Sequence, residues 1–470
     1  AGNNSLLGGN GTDSVSGGNG NDTIIEYDAD GADNDTLAGG NGNDSIAAAL
    51  GNDSLEGGSG NDSLFGADGN DTVSDSALDT NQGDWFEGGN GNDSIYDIAG
   101  ADTQIGGDGN DTIHNLAGVR DLADSIMGGA GDDRIFSGDN GADTVLGGIG
   151  NDSVLSGGGD DSIIEVDADG SGNDTISTGT GNDWAEGALG NDSIYDSGGA
   201  DTQLGGDGND TIDNSVNIVD RGDSIMGGAG DDSILAGANG TGTVGDTVLG
   251  GAGDDRISAT ALNNSLFGGG GADSVRGGTG DDTIYELDAD GAGNDTLAGG
   301  SGNDWIEAAR GDDSVVGGSG TDLASYASAT DAVTVSLLTN RSSGAHGVDS
   351  LSGIENILGG ASNDSILGDG GANSLSGGNG DDTLLGGSSS DTLDGGDGND
   401  SLYDTSGVNI LLGGAGNDTL TTVAGGLYGG DGNDSLVASA SVFDFIGGNG
   451  ADTLVASDAD GQQLYGGSGG

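Results

Sequence analysis

Large apolar residues in this chain do not gather into long runs. They recur singly, two residues after an aspartate, as at Leu37, Ile46, Leu55, Leu64, Val73, Ile95, Ile113, Ile126, Ile135 and onward to Leu454. The residue between aspartate and apolar position is mostly Ser or Thr. One side chain inward with its neighbour outward is the alternation of a short β-strand. Glycine-rich turns separate the strands.

The aspartates set the period. Asp35, Asp44, Asp53, Asp62 and Asp71 stand nine apart, as do Asp84, Asp93, Asp102 and Asp111, then Asp174, Asp183, Asp192, Asp201 and Asp210, and later Asp382, Asp391 and Asp400. The step widens to thirteen at Asp22→Asp35, Asp71→Asp84, Asp111→Asp124, Asp161→Asp174, Asp210→Asp223 and Asp282→Asp295, a four-residue insertion that leaves the repeat in phase on either side. A nine-residue unit reads as turn plus strand, and two units make one coil of about eighteen residues with a turn on each edge. Stacked coils bury the apolar row between two parallel sheets, so the predicted fold is all-β, a parallel β-roll solenoid. Roughly 24 coils at about 4.8 Å each would give a rod on the order of 110 Å long. The segment Asp93–Asp133 returns 99 residues later as Asp192–Asp232, which points to growth by duplication of multi-coil blocks.

Composition sharpens the question. Of 470 residues, 108 are glycine, none is proline or cysteine, and 81 are acidic against seven arginines, for a net charge of -74. Such chains usually stay disordered, because little apolar surface is available to offset the ordering entropy. Either this chain is disordered, or something neutralises the carboxylates and orders the glycines. The charge disfavours nucleic acid and bare anionic membranes as partners and favours cations. No disulfide is possible, and no stretch is long and apolar enough to span a bilayer. The opening Ala1-Gly2-Asn3-Asn4-Ser5-Leu6 carries no basic or apolar signal region, so no cleavable secretion signal is visible.

The turns supply the answer. A complete Gly-Gly-x-Gly-x-Asp turn ends at Asp13, Asp22, Asp44, Asp62, Asp93, Asp111, Asp133, Asp152, Asp210, Asp232, Asp255, Asp273, Asp282, Asp304, Asp322, Asp382, Asp400, Asp418, Asp434 and Asp452. Calcium takes six to eight oxygen ligands. Glycine lets the backbone turn tightly enough to aim carbonyls at one point, and the aspartate adds a charged ligand. The motif resembles that of the RTX (repeats-in-toxin) calcium-binding family, G-G-x-G-x-D-x-U-x with U a large apolar residue, over nearly the whole length. The resemblance implies calcium between successive turns on the same edge, so that Asp44 and Asp62 share one ion. It implies a chain disordered without calcium and folded with it.

Other positions are less regular. The turns before Asp53 and Asp201 are degenerate and are expected to keep the fold while losing or weakening a site. Asn264, Asn373 and Asn409 stand where the ligand aspartate belongs. The acidic insertions at Asp28/Asp30, Asp167/Asp169, Asp288/Asp290 and Asp458/Asp460 read either as extra calcium sites or as plain acidic surface turns. From Leu323 to Leu358 the glycine turns stop. This divides the chain into a long roll (1–322), a β spacer or junction (323–358) and a second roll (359–470), with ligand binding by the spacer a minor alternative. Both ends lie inside the repeat, which suggests a fragment of a longer chain or ends that dock onto neighbours.

No catalytic set is apparent. Lysine and cysteine are absent, His114 and His346 stand alone, and the carboxylates are accounted for as calcium ligands. Trp85, Trp184 and Trp305 each directly follow an aspartate, where Ser or Thr usually points outward. Either insertion loops cover them, or they make a lateral contact with another subunit or a glycan. The expected function is an extracellular calcium-binding structural protein of a bacterial surface layer, sheath or fibril, self-associating end to end or laterally. The alternative is the calcium-folding region of a secreted RTX enzyme, toxin or adhesin whose active domain lies outside this chain.

Overall fold

Each alternating segment becomes a strand, because burying one apolar side chain fixes which face looks inward. In the computed structural model Ser54–Ser59 buries Leu55 and turns Ser54 outward. The structure describes residues 2–28, 31–78, 82–115, 122–166, 172–215, 221–237, 244–286, 293–440, 442–456 and 464–468. They fall into two units, Ala1–Val248 and Leu249–Gly470.

In the first unit, successive strands go alternately to two parallel sheets. Ser45–Ala47 lies between Thr23–Ile25 and Ser63–Asp68, which stacks Ile24, Ile46 and Leu64. In the other sheet Thr36–Asn41 lies between Ser14–Asn19 and Ser54–Ser59, which stacks Val15, Leu37 and Leu55. Partners are eighteen residues apart where both turns are short, as at Ser45↔Ser63, and twenty-two where a four-residue insertion intervenes, as at Thr23↔Ser45. The insertions leave the register of the coil intact. The core is the file of Ile, Leu and Val between the sheets, with Phe86 and Ala185 in the same row, interrupted at Gln104 and Gln203, which are fully buried at positions where the pattern expects an apolar residue.

The second unit repeats the plan from Ser265–Gly270 through Thr283–Tyr285, Trp305–Glu307 and Leu323–Ser325. Leu323–Ser325 then pairs directly with Asn356–Leu358, so the intervening chain leaves the coil and returns. Within that excursion Val333–Ser336 and Arg341–Gly344 form an antiparallel pair. Val333–Ser336 also pairs with Ser365–Leu367, and Ser350–Ser352 with Ser314–Ser319. Its anchor is Tyr326, whose buried hydroxyl donates to Asp349 Oδ2 at 3.0 Å.

The fold is all-β, a parallel β-roll solenoid of about eighteen residues per coil. Among the described residues no helix is long and apolar enough to cross a membrane. Because each coil contributes only one apolar side chain per sheet, single core truncations should be costly. Leu64, with no exposed surface, is expected on truncation to Ala to cost about 2–5 kcal/mol. Amide exchange in calcium-saturated protein should show faster opening of the strands holding Ile46, Leu64 and Phe86.

Candidate metal centres

The Gly39–Asp44 turn shows the general geometry. Gly40 and Gly42 have φ of +116° and +123°, a region that only glycine enters at no steric cost. At Gly39 the requirement is space. A Cβ there would fall 2.4 Å from Asp44 Oδ2 and 2.7 Å from the Gly57 carbonyl oxygen of the next turn on that edge. Leaving it out creates a cradle bounded by a carboxylate oxygen and a carbonyl oxygen. The same arrangement recurs at Gly377, between Asp382 Oδ2 and Gly395 O, and at Gly395, between Asp400 Oδ2 and Gly413 O.

The aspartates stack into ladders. Asp44 N–H donates to Asp62 Oδ1 at 2.7 Å, so the two residues expected to share an ion stand one above the other. On that edge of the first unit the rungs are Asn4, Asp22, Asp44, Asp62, Asp84, Asp102, Asp124, Asp143, Asp161, Asp183, Asp201, Asp223 and Asp246. On the opposite edge they are Asp13, Asp35, Asp53, Asp71, Asp93, Asp111, Asp133, Asp152, Asp174, Asp192, Asp210 and Asp232. In the second unit Asp255, Asp273, Asp295, Asp313 and Asp349 form one run, and Asn264, Asp282, Asp304 and Asp322 another. Asp364, Asp382, Asp400, Asp418, Asp434 and Asp452 form a third, and Asn373, Asp391 and Asn409 a fourth.

All twenty aspartates of complete turns are therefore rungs. So are Asp53 and Asp201 from degenerate turns, and the substituted Asn264, Asn373 and Asn409. The sequence distinction between complete and degenerate turns does not show in the ladder itself. At the excursion the rung above Asp322 is Glu355, whose Oε2 accepts the Asp322 N–H at 2.9 Å.

Asp44 and the rungs like it use one carboxylate oxygen in the ladder and leave the other turned into the cradle. Oδ2 of Asp44, Asp71, Asp93, Asp111, Asp304, Asp382, Asp400 and Asp418 is buried and accepts no hydrogen bond. An ionised carboxylate in that state is costly unless a cation faces it. Burial, with neighbouring rung aspartates adding repulsion, pushes Asp71 and Asp382 up to about 7, Asp133 to about 8 and Asp418 to about 6. Orphaned carboxylate oxygens beside carbonyl oxygens, in a row where only glycine fits, are the donor set of a hard cation such as calcium. The residues present fit that ion.

Three features lie outside the turn motif. Asparagines preceding the rungs form an outer ladder of opposite sense, Asn43 N–H donating to Asn21 Oδ1 at 3.1 Å and Asn92 N–H to Asn70 Oδ1 at 2.9 Å. Acidic residues at strand ends gather with rungs into three-carboxylate groups whose oxygens lie within 4.8 Å of one another: Glu26/Asp28/Asp35, Asp62/Asp75/Asp84, Asp152/Glu165/Asp174, Asp183/Asp196/Asp201 and Asp273/Glu286/Asp295. Asp28 thus joins Glu26 and Asp35, whereas Asp30, Asp167, Asp169, Asp288, Asp290, Asp458 and Asp460 lie outside the described residues. The signal for the strand-end acids was an Asp or Glu where the repeat expects its first glycine. Finally, Trp85 and Trp184 remain 39% and 41% exposed on the outer face of one sheet, while Trp305 is more covered. His114 packs edge-on against Phe136, and His346 Nδ1 lies 3.2 Å from the Ala309 carbonyl oxygen.

A family model, the RTX calcium-binding nonapeptide repeat in four copies, matches residues 1–24, 29–55, 48–74, 80–113, 121–139, 137–164, 169–203, 177–212, 219–239, 242–261, 249–284, 290–324, 349–384, 385–420 and 427–441. That family is a calcium-binding repeat and not a catalytic one. No curated protein matches the chain.

Proposed function

Because the chain belongs to the RTX calcium-binding repeat family, we propose that it is an extracellular structural protein of a surface layer, sheath or fibril, folded and assembled by calcium. The observation that carries this reading is the set of buried rung aspartates, such as Asp44, Asp382 and Asp400, whose Oδ2 accepts no hydrogen bond and lies beside the carbonyls of the glycine turns. Asp44 and Asp62, and their equivalents at each complete turn, would hold the ions. The ions would supply the charge neutralisation that allows stacked carboxylates to stay buried. Metal binding and coil stacking are then one event, and the protein's task is to present a calcium-hardened surface.

The compartment follows from metal supply. Extracellular modules bind calcium at about 10⁻⁴–10⁻³ M, well above cytosolic levels, so the chain would stay unfolded inside the cell and order outside it. Residues 323–358 serve in this reading as a junction between the roll of 1–322 and that of 359–470. Their hairpin keeps the sheets in register through Leu323–Ser325 and Asn356–Leu358 while interrupting the run of turns.

Assembly is the test. Electron microscopy and sedimentation of the calcium-loaded chain should show filaments or sheets that disperse on chelation. A discrete monomer at all concentrations would discard the assembly reading and favour the calcium-folding region of a larger secreted enzyme, toxin or adhesin. The half-exposed tryptophans are the proposed lateral contact, with another subunit or a surface glycan. Trp85→Ser together with Trp184→Ser is expected to weaken lateral association at least tenfold without loss of β-structure. Unchanged assembly would remove these rings from the interface.

A further inference from the structure

Five interrupted turns bring in a carboxylate that complete turns lack. Glu26, Asp75, Glu165, Asp196 and Glu286 each stand four residues after a rung aspartate, the place of the first glycine in a complete turn. The carboxylates of Glu26, Glu165 and Glu286 enter the cradle of the neighbouring coil. A Cβ on Gly8 would fall 1.7 Å from Glu26 Oε2, and one on Gly147 would fall 1.9 Å from Glu165 Oε2. In complete turns that space is bounded by a glycine carbonyl oxygen, such as Gly57 O beside Gly39. The acid therefore puts a charged oxygen where the regular turn puts a neutral one.

At Asp183/Asp196/Asp201 the three carboxylates come from two rungs and one strand end. All three residues are at least 97% buried, being 3%, 2% and 2% exposed. Oδ2 of Asp183 and of Asp201 accepts no hydrogen bond, although the three residues' ligand oxygens lie within 4.8 Å of one another. Glu26 Oε2 and Asp35 Oδ2 are in the same condition beside Asp28. Asp201 is pushed up to about 9, by burial first, against the hydrogen bond from Asp183, and then by Asp196 and the adjoining rungs.

Two interrupted turns show what happens when the acid is an amide. Asn115 and Asn214 occupy the same place after Asp111 and Asp210. Asn115 Nδ2 donates to rung Asp124 Oδ2 at 2.6 Å while its Oδ1 accepts from Gln104 at 2.7 Å. Asn214 Nδ2 donates to rung Asp223 Oδ2 at 3.0 Å. There the protein supplies its own positive partner for the rung. Where the residue is Asp or Glu, it brings a further carboxylate in place of an N–H, and a bound cation would neutralise the group.

We propose that the interrupted turns are a second class of calcium site, in which a strand-end carboxylate replaces the glycine carbonyls, and that Asn115 and Asn214 mark turns which have dispensed with the ion. This rests on calcium binding by the complete turns. With three charged ligands these sites should also fill before the glycine turns, since ligand charge raises affinity.

Native mass spectrometry of the full chain counts the ions. Asp196→Asn should bind one calcium fewer than the parent chain, and Asn115→Asp one more, with circular dichroism in saturating calcium showing parental β-content for both. Should Asp196→Asn lose β-content, Glu165→Gln carries the same count. An unchanged count in the acid-to-amide variant, or no gain in Asn115→Asp, would overturn the assignment while leaving the glycine turns intact. A parent chain that takes up no calcium would instead refute the underlying reading of the turns.

Discussion

Removing calcium at pH 7.5 is expected to abolish the β-sheet circular dichroism of the whole chain and to swell it to a coil with a radius of gyration of about 80 Å. The expectation rests on how little else holds a coil together. Each coil of about eighteen residues contributes two apolar side chains to the core, such as Leu55 and Leu64, while its glycines forfeit more conformational freedom on ordering than any other residue. No disulfide restrains the unfolded chain, and the net charge of -74 repels itself in any compact state without counter-ions. The rungs concentrate that repulsion, since Asp44 stacks directly on Asp62 through a 2.7 Å hydrogen bond. Calcium held only by the folded state would add its binding free energy directly to stability. Recovery on readdition should follow the calcium concentration steeply, because each ion orders turns that its neighbours need. Undiminished β-structure in excess chelator would mean that the stacking stands without metal, and the coupling of folding to calcium would be wrong.

Much of this was legible in the sequence because the repeat is one-dimensional. Once Asp44 and Asp62 are recognised as equivalent, their stacking follows, as do the alternate sheets and the unbroken register across Asp22→Asp35. What stayed hidden needed a neighbour from another coil. Glu355 serves as a rung to Asp322 only because the excursion returns to Asn356–Leu358 in register. Gln104 takes an apolar position because Asn115, eleven residues on, meets it across the core. Asp196 falls in the degenerate turn before Asp201, and only the stacking shows that its carboxylate converges on Asp183 and Asp201. Nine-residue spacing identifies equivalent positions, but the chemistry of a departure depends on what the adjacent coils place against it.

Protons should partly substitute for calcium, with the opposite dependence on pH. The buried rungs Asp71, Asp133, Asp183 and Asp382 are held at about 7 to 8, against 3.8 when solvated, burial being the first cause. Between these limits the metal-free folded state binds more protons than the unfolded chain, so its stability falls as pH rises. The contribution is fully present below about pH 4 and is lost progressively between about pH 4 and pH 8, with a limiting slope of about 1.4 kcal/mol per pH unit for each such aspartate. Metal-free chain at pH 4.5 should therefore recover β-structure that it lacks at pH 7.5, when followed by circular dichroism at low concentration to avoid precipitation near the isoelectric point. The calcium-loaded form runs the other way. Its ligands must be ionised, so binding should release protons near neutrality and calcium affinity should fall as the solution is acidified through the same interval. Calorimetry in buffers of different ionisation enthalpy would count those protons. Calcium uptake without proton release at pH 7, or metal-free β-content that rises with pH, would show that the rungs are already ionised before the metal arrives. The ladder would then owe its stability to something other than exchange of protons for calcium at the Oδ2 positions.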